Sequence, residues 1–197
     1  MVSPSPQRST GNENLLRVVG VGRGVTQLGD IVYVVCARSS IIRTFTDTLS
    51  PLADIHVEGM TDPSDIVVCH RQLYVADSQP YYFDYHSCIW QVSVDRCRPT
   101  SYIKWLTTDP TTDTFSVDTL SVTSRGHLLV TSSYPPQLRE YHTSDTQLLR
   151  VVDIGLPYVQ MLLHGVETTR GTFVISHRGM SHDERDAVSE LLRMTLI

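Results

Sequence analysis

Several groups of residues have types and spacings that chemistry can use. Cys69-His70 and His86-x-Cys88 offer the thiolate and imidazole ligands that zinc takes. The gaps among Cys36, Cys69, Cys88 and Cys97 are irregular, contain no Cys-x-x-Cys and match no familiar zinc module. Cys36 and Cys69 each close an apolar run (31–35 and 66–68), so the expectation is buried thiols in a reducing compartment and no metal. His177-Arg178 and His182-Asp183 put a general base beside a charge. They lie in a stretch, 177–189, that reads as a solvated loop, where Ser181 and Glu184 resemble the capping box of a short helix. Gly20-x-Gly22-x-Gly24 lacks the following helix that would cradle a phosphate, and is expected to form turns. No Gly-x-Ser-x-Gly elbow is present. The chain's remaining unusual stretch is Tyr81-Tyr82-Phe83-Asp84-Tyr85-His86, whose aromatic density suits either a contact surface or rings packed down over the blades.

Composition narrows the classes further. The 197 residues are enough to bury a core. The net charge is −5, with Lys104 the sole lysine and the arginines scattered, which argues against nucleic acid and anionic membrane surfaces as partners. Residues 1–14 are polar, without the apolar region of a signal peptide, and are expected to be a disordered tail. With no apolar run long enough to span a bilayer, the expected location is cytoplasmic.

The elements that would position these residues recur along the chain. Leu15-Leu16-Arg17-Val18-Val19 returns as Leu148-Leu149-Arg150-Val151-Val152, an offset near three periods of about 44 residues. Strand-like runs at 31–35, 73–77, 128–132 and 173–176 recur every ~40 to 55 residues, and each follows a turn signal: Gly29-Asp30, His70-Arg71, Arg125-Gly126 and Arg170-Gly171. A strand precedes each of the last three turns (64–69, 119–123, 159–164). A third strand follows each run (41–45, 89–94, 138–142, 191–196), and a fourth closes three units (53–57, 102–106, 148–152). Four short antiparallel strands per period describe a propeller blade. The fold expected for 15–197 is therefore an all-β propeller of about four recognisable blades. The strand over 15–21 has no blade of its own and is expected to complete the last one.

The stretch Asp62-Pro63-Ser64-Asp65-Ile66-Val67-Val68, then Leu73-Tyr74-Val75-Ala76-Asp77-Ser78, then Ile89-Trp90-Gln91-Val92 resembles an NHL repeat of the NHL/TolB-like β-propeller class. The other units keep its rhythm but carry Cys36, Ser132 and His177 near the place of Asp77. Propellers of this class usually have six blades, and they bind through the face bearing the loops between second and third strands. The resemblance implies a non-catalytic scaffold for a protein partner, without a cofactor. The contact residues would be Tyr81, Tyr82, Phe83, Tyr85, His86, Tyr134, His177 and Arg178. It also raises two alternatives. One is a calcium-dependent lactonase or arylesterase, against which stands the restriction of asparagine to Asn12 and Asn14. The other is an RNA-binding propeller, which needs a basic face.

Overall fold

β-Branched and aromatic residues dominate the expected second strands, as they must where a strand is covered on both faces. A computed structural model describes residues 21–78, 87–95, 98–108, 114–155, 159–179 and 189–194. Every regular element among them is a strand. The first blade holds β1 (Gly22–Leu28), β2 (Ile31–Cys36), β3 (Ile41–Thr46) and β4 (Ile55–His56). The second holds β5 (Pro63–Cys69), β6 (Gln72–Ser78), β7 (Ser87–Asp95) and β8 (Arg98–Thr107). The third holds β9 (Thr119–Val122), β10 (Leu128–Ser132), β11 (Gln137–Tyr141) and β12 (Leu148–Asp153). The fourth shows β13 (Val159–Glu167), β14 (Phe173–Gly179) and β15 (Ser189–Met194). Strand order follows chain order in every sheet, and the pairings are antiparallel.

All four turn signals lie between first and second strands, and each contains left-handed backbone. Gly29, Gly126 and Gly171 have positive φ, and His70 and Arg71 take φ of 47° and 62° in the two-residue turn between β5 and β6. The second strands are the most buried, β6 and β10 above all, while β8 and β12 are largely exposed at the rim. Leu148-Leu149-Arg150-Val151-Val152 is thus an outermost strand, as the repeat pattern implied. The other copy falls outside the described residues, except that Val21, the last residue of the expected 15–21 strand, has its carbonyl bonded by the Ala37 amide at 2.9 Å. That bond assigns Val21 to the first blade and not to the last.

The glycine pattern is corrected in the same place. Gly22 and Gly24 do not make turns; they lie inside β1, the first strand of blade one. At Gly24 the reason is a close approach. A Cβ on Gly24 would come within 2.7 Å of the Ile66 amide nitrogen and 2.8 Å of the Asp65 Cα. β1 lies against β5, β5 against β9 and β9 against β13, so the first strands form the inner layer. Side chains stitch that layer together. Asp65 Oδ2 accepts the Leu120 amide at 2.8 Å, Thr119 Oγ1 donates to the Leu163 carbonyl at 3.1 Å, and Ser121 Oγ donates to Gly165 at 2.7 Å.

The core lies between blades. Tyr33, Ile42, Ile55, Ile66 and Trp90 pack where blades one and two meet. Tyr74, Ile89, Trp105, Phe115, Leu120 and Tyr141 fill the space between two and three. Leu129, Leu138, Leu162, Phe173 and Ile175 do so between three and four. At roughly 1.5–3 kcal/mol per fully buried large side chain, these three layers are the main source of stability. Cys36, Cys69 and Cys88 are free and buried, as expected; Cys97 and the helix expected from Ser181 lie outside the described residues. Cys69 Sγ donates to the Gly126 carbonyl at 3.2 Å, and His70 Nε2 lies 2.9 Å from the same oxygen. The pair that offered zinc ligands instead caps a turn of the next blade.

Candidate interaction surface

Antiparallel order puts the end of each second strand, the start of the third and the connection into the next blade at one end of the molecule. Four residues lie at or near the ends of the second strands there: Cys36, Asp77, Ser132 and His177, all buried. Asp77 accepts from the connection that precedes its own blade. The Asp62 amide reaches Oδ1 at 2.7 Å and the Thr61 amide reaches Oδ2 at 3.1 Å, while Trp90 Nε1 donates to Oδ2 at 3.0 Å. These donors compensate the burial of the side chain's oxygens. Asp62 in turn accepts the Arg38 amide at 2.7 Å, which ties the β2–β3 turn into the same clasp.

The third blade repeats the device with hydroxyls. The Ser116 amide donates to Ser132 Oγ at 3.2 Å, and Ser116 Oγ donates to Asp118 Oδ2 at 2.8 Å. Asp118 Oδ2 also accepts the Ser133 amide at 2.5 Å, and Ser133 Oγ donates to the Leu162 carbonyl of the fourth blade at 2.9 Å. The β10–β11 turn is therefore held to the entry of its own blade, through Asp118, and to the fourth blade, through Leu162. It presents Tyr134 with 76% of its surface exposed. Between blades two and three, Ser78 Oγ donates to the Val117 carbonyl at 2.6 Å and Ser87 Oγ accepts the Val117 amide at 3.0 Å.

Ser78 and Ser87 are register partners at the base of the loop carrying Tyr81, Tyr82, Phe83, Tyr85 and His86. That loop leaves and re-enters the sheet on this face, but the five residues lie outside the described residues. Tyr134 is at the surface. His177 is corrected: it belongs to β14, opposite Leu162 and Glu190, and is 0% exposed. The strand runs on through Gly179, further than its apolar residues suggested, and draws His177 inside, which removes it from direct contact with a partner. Arg178 pairs through its backbone with Met161 and Ser189.

At the opposite end of the molecule, a charge network joins blades three and four. No sequence signal marked it, because its members are far apart in the chain. Glu140 and Glu167 are both 2% exposed at the side chain and share Arg150, whose Nη2 is 2.6 Å from Glu140 Oε2 and 3.2 Å from Glu167 Oε1. His127 Nδ1 lies 2.8 Å from Glu140 Oε1. Burial alone pushes the Glu140 carboxyl up. The hydrogen bonds from His127 and Arg150, with the Arg150 and Arg125 charges, outweigh it and hold the group below the ordinary glutamate range. Among the described residues, no three His, Cys, Asp or Glu side chains gather in a way that would hold a metal ion.

No known family description matches the sequence, and no curated protein matches it. Solved structures do match. The β-propeller domain of Cps50 (Swd1) from Myceliophteria thermophila superposes with a TM-score of 0.58 at 9% identity, over 80% of this chain and 49% of that one. The fold is a β-propeller. Hydrazine synthase of Kuenenia stuttgartiensis matches with a TM-score of 0.59 at 15% identity, over 89% of this chain and 54% of that one. A chain of the nidogen/laminin complex matches with a TM-score of 0.60 at 17% identity, over 81% of this chain and 58% of that one. The chain thus spans about half to three fifths of the length of these structures. At such identities the likeness is one of fold alone.

Proposed function

We propose that this propeller is a non-catalytic scaffold that binds a protein partner through its loop face. The observation that carries the reading is Tyr134, an exposed aromatic on a turn clamped to two blades. A tyrosine has few rotatable bonds to immobilise, and here the backbone that carries it is already anchored, so its ring brings large contact area at low entropic cost. The resemblance of residues 62–78 to an NHL repeat supports an NHL-like assignment. The three free buried thiols support a reducing, cytoplasmic location.

A photo-crosslinking amino acid at position 134, with the exposed position 30 in the β1–β2 turn at the opposite end as control, tests the reading. A single protein should be captured from 134 and not from 30. Its affinity, measured with purified components, should fall at least about tenfold on Tyr134→Ala, with the thermal midpoint unchanged. Equal capture from both positions, or an unmoved Kd, overturns the reading. A calcium-dependent rise in the midpoint together with lactone or ester turnover would replace it with the hydrolase alternative.

A further inference from the structure

The end opposite the loop face carries a groove of about 620 Å³ between blades two and three. Its floor is the row Tyr74, Gln91 and Ile103, register partners across β6, β7 and β8, with Trp105 two residues further along β8 on the same side. Its far rim is the β11–β12 turn of blade three, held to blade two by Trp105 Nε1 donating to the Thr143 carbonyl at 3.2 Å.

We propose that this groove is a second binding site, which takes the side chain of an arginine or lysine from an extended segment of a partner protein. The walls suit the stem of such a residue. Ile103 is 55% exposed, and Trp105 stands edge-on to Tyr74 with ring centroids 5.3 Å apart. Long cationic side chains lay their methylenes on surfaces of this kind and keep the charged head at the polar edge.

The polar groups suit the head. Gln91 spends its amide hydrogens on Gln72 Oε1 and on the Tyr74 hydroxyl, the latter at 2.8 Å, so its own Oε1 is left as an acceptor. Asp145 on the rim uses Oδ1 for the Gln147 amide and for His142 Nδ1, both at 3.1 Å; Oδ2 has no partner among the described residues. The bond from Gln147, aided by His142, holds this carboxyl below the ordinary aspartate range, so it is ionised at neutral pH. Guanidinium and ammonium groups are donors only, which makes them complementary to such acceptors. Lys104, the chain's sole lysine, does not fill the site. Its ammonium sits 5.2 Å from the centroid of Trp90, whose indole packs in the layer between blades one and two. The net charge of −5 favours a basic partner as well.

The chain has two tryptophans, so ¹⁵N-tryptophan labelling yields two indole signals, assigned with Trp105→Phe. The probes are acetyl-Ala-Arg-Ala-amide and its lysine and glutamate counterparts, titrated into the whole chain. The Trp105 signal should move saturably with the arginine and lysine peptides, and not with the glutamate peptide, while the Trp90 signal stays in place. Asp145→Asn should weaken binding about tenfold, and Ile103→Ser should weaken it with the rim charge intact. No shift up to about 10 mM, equal response to the glutamate peptide, or binding untouched in both variants overturns the proposal.

Discussion

Asp77 shows what a single residue does in this fold. It stood out in the sequence as the end of Leu73-Tyr74-Val75-Ala76-Asp77, but its task was not readable there. Its partners, Thr61 and Asp62, come from the connection out of the previous blade, and Trp90 comes from the next strand. Replacing Asp77 by alanine leaves these buried donors unpaired and should cost about 3 kcal/mol in denaturant unfolding. Asp77→Asn keeps one acceptor oxygen and should cost less. Equal stability of all three proteins would show that the clasp contributes nothing. Tyr134 is the contrasting case: it touches little in its own chain, so Tyr134→Ala should leave stability within about 0.5 kcal/mol.

At the scale of elements, the second and third strands were legible nearly to the residue. The second strands are nearly continuous apolar runs because neighbouring blades cover both faces, while the third strands alternate in burial. β1 was not legible, since Gly22-Arg23-Gly24-Val25-Thr26-Gln27-Leu28 has the composition of a turn. Glycine is needed at position 24 because β5 comes too close for a side chain. The two nearest atoms a Cβ would meet are backbone, which cannot swing away. Gly24→Ala should therefore push β1 off β5 and cost about 1–3 kcal/mol, seen as a drop in the unfolding midpoint. An unchanged midpoint would mean that the inner strands slide apart freely. β4 is the reverse case: a strand expected over 53–57 is reduced to Ile55–His56.

At the scale of the molecule, the blades hold one another through apolar layers and, between the third and fourth, through the Glu140–Arg150–Glu167 network. The Glu140 carboxyl is held below its ordinary value near 4.5 in the folded chain. Its contribution is thus fully present above that value and is lost as pH falls through the lower folded one. Stability should drop on acidification below about pH 5. Glu140→Gln should be less stable at neutral pH and should show a flatter acid slope, read from denaturation midpoints across pH. Parallel slopes for the two proteins would assign the acid loss to other carboxylates.

By itself the sequence determined the period, the strand order within each blade and the turns between first and second strands, because those depend on neighbours a few residues away. The tertiary structure alone decided which side chains meet across blades. It turned a glycine-rich stretch into an inner strand, buried His177 in β14, joined Glu140 to Glu167 through Arg150, and set Ile103 and Asp145 along one groove. Those pairings arise from strands that are remote in the chain and become adjacent only when sheets stack, so no local spacing records them.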